Sequence, residues 1–318
     1  RTMAGHLFSP TIRVQQLKKL ILDKVYPIRL FDTAYTLKEP QKHDEFIKNS
    51  YGKIEQLMKT KSHPDYLSAH IPRAVHFNLE IASYPGKYER AALYPPSIFQ
   101  EYVQRLGVNK DDKVVVYGRG PGNGMLFAAR AWWLLKMYGM SDVSVLEGGL
   151  EKWVANGGET TKDIPQVERG NWEATEPRAD LIVYYEELSS EKEGKSLFER
   201  LDTVNFLDCR PAEEFYGTKP LAFPPNGATG ARIAGSKCVP LSAIMSKSGE
   251  LKDKKEILDV LHASSFSPSH PTYTVCNGGT QAALLGLALA KAGINFKLYN
   301  GSLREVSKRR PELISARG

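Results

Sequence analysis

The sequence predicts an α/β protein built as two tandem domains, each a mainly parallel sheet flanked by helices. Three observations predict it. The chain has 318 residues, enough for two domains of ordinary size. Short β-prone runs alternate with helical ones, the pattern of strands joined by crossover helices. A series of landmarks occurs twice in the same order, which reads as an internal repeat of about 150 residues.

The elements pair off along the chain. Arg29-Leu30-Phe31-Asp32 is an apolar strand ending in an acid, and Asn205-Phe206-Leu207-Asp208-Cys209-Arg210 is its counterpart. The stretch from His70 to Phe77 matches that from Arg232 to Pro240. Lys113–Tyr117 and Thr272–Val275 are β-rich runs entering glycine-rich loops at Gly118 and Cys276. A long apolar helix follows each, Met125 to Tyr138 and Gln281 to Lys291. Leu146-Glu147-Gly148-Gly149-Leu150 then answers to Tyr299-Asn300-Gly301-Ser302-Leu303. Between the halves, residues 161–178 lack periodicity and carry Pro165, Gly170 and Pro177, so they read as a linker. The predicted domains are residues 1–160 and 179–318.

Composition excludes several classes. Apolar residues make up 42% and charged residues 25%, which argues against a disordered or low-complexity chain. The longest apolar run, Ala282 to Ala290, is far short of the roughly 20 residues that span a bilayer, so no membrane partner is expected. No secretory signal is read at the start. The net charge of +7 suits small anions. The densest basic run, Lys308-Arg309-Arg310, is too short for a nucleic-acid face, and no nucleic-acid partner is expected. The three cysteines, Cys209, Cys238 and Cys276, are widely spaced and odd in number. They suggest neither a disulfide framework nor a metal site, and they fit a reducing compartment, cytosol or mitochondrial matrix.

The chemistry concentrates at Cys276-Asn277-Gly278-Gly279-Thr280-Gln281. In open α/β sheets ligands bind beyond the carboxyl ends of the strands. Cys276 falls there, between a strand and a helix opening near Thr280. Two glycines let backbone N–H groups turn inward as an anion cradle, and the helix dipole adds positive potential. Both favour a thiolate, the nucleophilic form. Cys209 and Cys238, beside strand residues, read as inert. Gly118, Gly120, Gly122 and Gly124 do not fit a dinucleotide loop, because Asn123 stands where a glycine is needed. A phosphatase-like use of the loop would want an arginine between Cys276 and Gln281, and none is present. Trp132 and Trp133, on a helix of leucines, read as core. Asn300-Gly301-Ser302 reads as a turn rather than a glycosylation site.

The sequence resembles the rhodanese family, specifically its two-domain sulfurtransferases, from about Val14 to Pro311. The motifs are His70-Ile71-Pro72-x-Ala74, Ala129-Arg130-Ala131-Trp132-Trp133, Leu146-x-Gly148-Gly149-Leu150-x-x-Trp153, Leu207-Asp208-x-Arg210-x-x-Glu213-Glu214-Phe215-x-Gly217 and the Cys276 loop. The resemblance implies two rhodanese-like domains. The first is catalytically silent, with Gly118 in place of the cysteine, and supplies one wall of an interdomain cleft. It implies sulfur transfer through a Cys276 persulfide, without metal or organic cofactor. The donor is a small anion, 3-mercaptopyruvate-like or, second, thiosulfate. The acceptor is cyanide or a thiol such as thioredoxin or glutathione. The other reading is a non-catalytic scaffold that has kept the fold and lost donor binding.

This sequence departs from the family at the donor site. Asn277-Gly278 follows the cysteine, so the loop has neither a cation nor a hydroxyl in those places. Glu214 stands where many members have a donor-clamping arginine, and Phe223 falls near a second. Candidate substitutes or orienting groups are Arg210, Arg232, His70 and Arg119, with Asp208 expected to orient the loop by accepting N–H bonds. Arg210 is expected to pair with Glu213 or Glu214, and Lys219 and Lys237 to be solvated surface charges.

Overall fold

Runs of Val, Ile, Leu and Phe at strand spacing form two five-stranded sheets in the computed structural model, which describes residues 9–23, 27–60 and 63–317. The opening residues read for a targeting signal lie outside the described residues. The first sheet contains β1 (Thr11–Ile12), β2 (Ile28–Asp32), β3 (Val75–His76), β4 (Lys113–Tyr117) and β5 (Val143–Leu146). Its order is β1-β5-β4-β2-β3. The second contains β6 (Ile182–Val183), β7 (Asn205–Asp208), β8 (Lys237–Cys238), β9 (Thr272–Val275) and β10 (Lys297–Tyr299). Its order, β6-β10-β9-β7-β8, is the same walk through the repeat. Every pairing in both sheets is parallel, as expected where each strand is followed by a covering segment.

The repeat extends to the register. Asp32 lies opposite Tyr117 on the neighbouring strand, and Asp208 lies opposite Val275. The residues that follow, Thr33 beside Gly118 and Cys209 beside Cys276, are therefore matched pairs at the carboxyl ends of central strands.

The helix after each glycine-rich loop is apolar on nearly every side because it is buried on nearly every side. These are α1 (Leu126–Met137) and α3 (Thr280–Ala292). Trp133 of α1 is fully buried, with the Arg130 guanidinium 4.6 Å from its ring centre. Trp132 is also core, its indole N–H donating to Val143 O at 3.2 Å. The last pair of landmarks opens two further helices, α2 (Gly149–Ala155) and α4 (Ser302–Arg309). No described helix is long and apolar enough to cross a membrane.

Two compact units result. One comprises residues 1–38, 49–83 and 94–178, and the other residues 39–48, 84–93 and 179–318. Residues 161–178 are irregular, but backbone bonds tie them into the first unit: Gly170 to Gln104, Trp172 to Val108 and Arg178 to Met137. Conversely, two stretches of the first half belong to the second unit. Residues 84–93 fold back on themselves through a Tyr84–Ala92 bridge and reach α4, where Tyr88 lies under the Arg309 guanidinium at 4.8 Å.

Candidate active site

The strand β9 delivers Cys276 to a loop that α4 holds. The N–H groups of Leu303 and Arg304, in the first turn of α4, donate to the carbonyls of Cys276 and Asn277 at 3.1 and 3.0 Å. The Cys276 N–H donates to Ser302 Oγ, which donates in turn to Tyr299 O. Ser302 has φ of 51°, a left-handed conformation that glycine adopts cheaply and its counterpart Gly149 also shows. The serine hydroxyl offsets that strain by fixing the cysteine's backbone. Gly279, at φ of 89°, makes the turn into α3 and donates its N–H to Cys276 Sγ at 3.1 Å.

Cys276 is 1% exposed. Burial by itself would raise its pKa, but hydrogen bonds from the Cys209 thiol and from the N–H groups of Ala282, Gly278 and Gly279 outweigh it and bring the thiol down to about 6. Cys209 is fully buried, and its own pKa is pushed well up by burial and then by its bond and proximity to Cys276. It stays a thiol, and so a donor. In the structure its S–H donates to the Val275 carbonyl at 3.3 Å, with the Cys276 sulfur as the competing acceptor. One S–H cannot serve both acceptors, and a charged thiolate is the stronger one. Cys209 is thus a contributor that the sequence reading set aside as inert. Its signal was the register, since it follows Asp208 as Cys276 follows Val275.

Arg210 is fully buried. It pairs with Asp208, not with Glu213 or Glu214 as expected: Nη2 meets Asp208 Oδ2 at 2.7 Å and Nε meets Oδ1 at 3.0 Å. Burial works against its charge, while Asp208, Glu214 and Cys276 favour it. Its Nη1 has no hydrogen-bond partner among the described residues. The Asp208 carboxylate is spent on Arg210, so it does not orient the loop as predicted; α4 does. Glu214, in place of an arginine, accepts from Asn277 Nδ2 at 2.9 Å. The two departures from the family motif therefore form one contact. Gln281 and Thr280 lie in the first turn of α3 and are half-buried.

The other candidates are engaged elsewhere. The Arg232 guanidinium stacks on Phe215 at 4.6 Å and donates to its carbonyl. In the first unit, Arg119 pairs with Asp32 and donates to Asp65 O and Ala69 O. His70 is fully buried against Tyr66, its ring nitrogens facing the carbonyls of Tyr66 and Asp163. Lys219 is exposed beside Glu213. Lys237 is not a solvated charge: its Nζ bonds Val204 O and Asn205 Oδ1, and burial lowers its pKa. Asn300, in the turn, is buried and donates to Ala91 O.

The matching loop of the first unit carries no nucleophile and has no room for one. A Cβ at Gly118 would stand 2.8 Å from Thr33 Oγ1 and 2.9 Å from Gly124 O.

The rhodanese-like domain matches twice, over residues 42–156 and 190–309. A Caenorhabditis elegans protein named "Putative thiosulfate sulfurtransferase mpst-1" is 36% identical over 94% of this chain and 93% of its own. The 3-mercaptopyruvate sulfurtransferase of Escherichia coli K12 is 31% identical over 76% of this chain and 81% of its own. The crystal structure of SseA from Escherichia coli, described as a 3-mercaptopyruvate sulfotransferase with the rhodanese fold, superposes with a TM-score of 0.69 at 26% identity, covering 92% of this chain and 98% of that one.

Proposed function

Since the chain belongs to the rhodanese family and is a sulfurtransferase of the thiosulfate/3-mercaptopyruvate class, we propose that Cys276 carries the transferred sulfur and that a 3-mercaptopyruvate-like thiol acid is the preferred donor. The observation that carries the first part is the Cys276 sulfur at the end of β9, accepting the Gly279 N–H at 3.1 Å where α3 opens, in surroundings that draw its pKa down to about 6. At pH 7 about nine-tenths of such a group is thiolate. A scaffold would have no use for it.

The step balances without a cofactor. The Cys276 thiolate attacks the donor's thiol sulfur, and the S–S bond forms as the C–S bond breaks. The leaving enolate takes the proton that the donor thiol carried, giving pyruvate and a persulfide anion on Cys276. The N–H groups of Gly278, Gly279 and Ala282, already aimed at the thiolate, are placed to hold the displaced charge. An acceptor thiol then takes the outer sulfur, keeps it as its own persulfide, and returns Cys276 to thiolate. Thioredoxin or glutathione would serve, in a reducing compartment such as cytosol or mitochondrial matrix.

Donor preference follows from charge. Thiosulfate brings two negative charges to the reacting end, and Glu214 bonded to Asn277 places a carboxylate beside the loop. A mercapto acid brings a neutral thiol and keeps its one charge on a carboxylate farther away. Initial rates with both donors test this at equal concentration and pH 7. We expect the mercaptopyruvate rate to exceed the thiosulfate rate by about tenfold or more, one ion-pair contact's worth. Glu214→Gln narrows the gap. A higher rate with thiosulfate, or equal activity in Cys276→Ser, overturns the reading.

A further inference from the structure

The loop after Cys276 carries no cation, yet the second unit places two beside it. One comes from each half of the sequence. Arg304, two residues into α4, donates its backbone N–H to the carbonyl of Asn277 at 3.0 Å. Arg90, in the stretch 84–93, lays its side-chain stem over Gly278. A Cβ at Gly278 would lie 3.2 Å from Arg90 Cβ and 3.3 Å from its Cδ. Glycine at 278 therefore leaves the space that the arginine stem fills.

Both guanidinium groups converge on one carboxylate, that of Glu39. Arg304 grips it with a two-nitrogen fork: Nη2 meets Oε1, and Nη1 lies 3.4 Å from Oε2. Arg90 Nη1 lies 4.0 Å from the same Oε2. The exposure is lopsided. The two arginine side chains are each 14% exposed, whereas the Glu39 side chain is 70% exposed. Two largely buried cations thus converge, beside the cysteine loop, on one anion that water reaches easily. Burial lowers the Arg304 pKa, as it must where desolvation is incompletely offset.

We propose that Arg90 and Arg304 are the carboxylate clamp for the sulfur donor, and that Glu39 occupies this clamp until a donor displaces it. This rests on the reading of Cys276 as the sulfur carrier and extends it to substrate recognition. The clamp takes a monocarboxylate, because one fork and one flanking arginine match two carboxylate oxygens. It also accounts for how the chain manages without an arginine at Glu214.

Glu39 then acts as a competitor tethered to its own site, which fixes the direction of each substitution. In steady-state assays with 3-mercaptopyruvate, Arg304→Gln and Arg90→Gln raise KM about tenfold, with the loss falling more on KM than on kcat. Arg304→Lys recovers only part, because a lysine keeps the charge and loses the fork. Glu39→Gln lowers KM several-fold. None of these substitutions moves the pH midpoint for alkylation of Cys276, a readout that general misfolding would disturb. Unchanged KM in both arginine variants, or a KM in Glu39→Gln raised as much as theirs, overturns the clamp. Pyruvate supplies an arm independent of turnover, since it has the carboxylate and no sulfur to give. By calorimetric titration it binds Glu39→Gln more tightly than the unmodified protein, and Arg304→Gln more weakly. If the unmodified protein transfers no sulfur, the proposed function fails while this titration still decides the clamp. Equal pyruvate affinity in all three proteins sinks it.

Discussion

Cys276 is acidic because of its neighbours' hydrogens, and Cys209 is the neighbour with a side chain to change. A hydrogen bond to a charged group contributes about 1.5–3 kcal/mol, and a thiol is a weak donor, so removing it shifts the midpoint by about one pH unit. The alkylation rate of Cys276 by iodoacetamide should climb through about pH 6 and then level off. The sign follows from deprotonation: the reactive thiolate is lost as pH falls through the midpoint. In Cys209→Ala the midpoint moves up by about one pH unit; in Cys209→Ser, which keeps a donor, it moves less. An unmoved midpoint in Cys209→Ala would show that the backbone N–H groups suffice. Cys276 itself was legible from a β-run ending in a glycine-rich turn. Cys209 and Ser302 were not, because their roles depend on which strands and turns become neighbours. A comparison of the halves held the clue: Gly118 and Gly149 give way to Cys276 and Ser302 together.

Among the elements, each glycine-rich loop is defined by what crowds it. Gly118→Cys should not create a second reactive thiol, because Thr33 Oγ1 and Gly124 O already occupy the position of its side chain. Overpacking of this kind costs about 1–3 kcal/mol. We expect a lower melting temperature and no new alkylation site in the variant; a stable protein with two reactive cysteines would refute the steric account. The main elements were readable because their signals are local. Alternating and continuous apolar runs placed β2, β4, β7 and β9, and the all-apolar stretches placed α1 and α3 to within a residue or two. Ion pairs were not readable. Arg210 had three carboxylates in sequence reach, and only the fold selects Asp208.

In the whole molecule, the sequence boundary at residue 178 differs from the division of the chain in space. Residues 39–48 and 84–93 belong with 179–318. They contribute the Ala91 carbonyl to Asn300, the Lys87 carbonyl to Lys308 and the Tyr88 ring to Arg309. Such contacts between segments distant in sequence leave no periodic trace, so composition could not announce them. A fragment comprising residues 179–318 alone should melt at least about 5–10 °C below the full chain, since each kcal/mol lost from a domain of this size costs several degrees. Equal melting would mean that these segments add nothing to the second unit.

Sulfur transfer through Cys276 is read from the mass of the Cys276 peptide after a single turnover. The protein is mixed with 3-mercaptopyruvate, and separately with thiosulfate, without an acceptor, then digested under conditions that preserve persulfides. One added sulfur is expected on Cys276, produced faster by 3-mercaptopyruvate, absent in Cys276→Ser and removed by a thiol acceptor. No added sulfur from either donor, with Cys276 unreactive at neutral pH, would contradict that transfer and leave a rhodanese fold that has lost its chemistry.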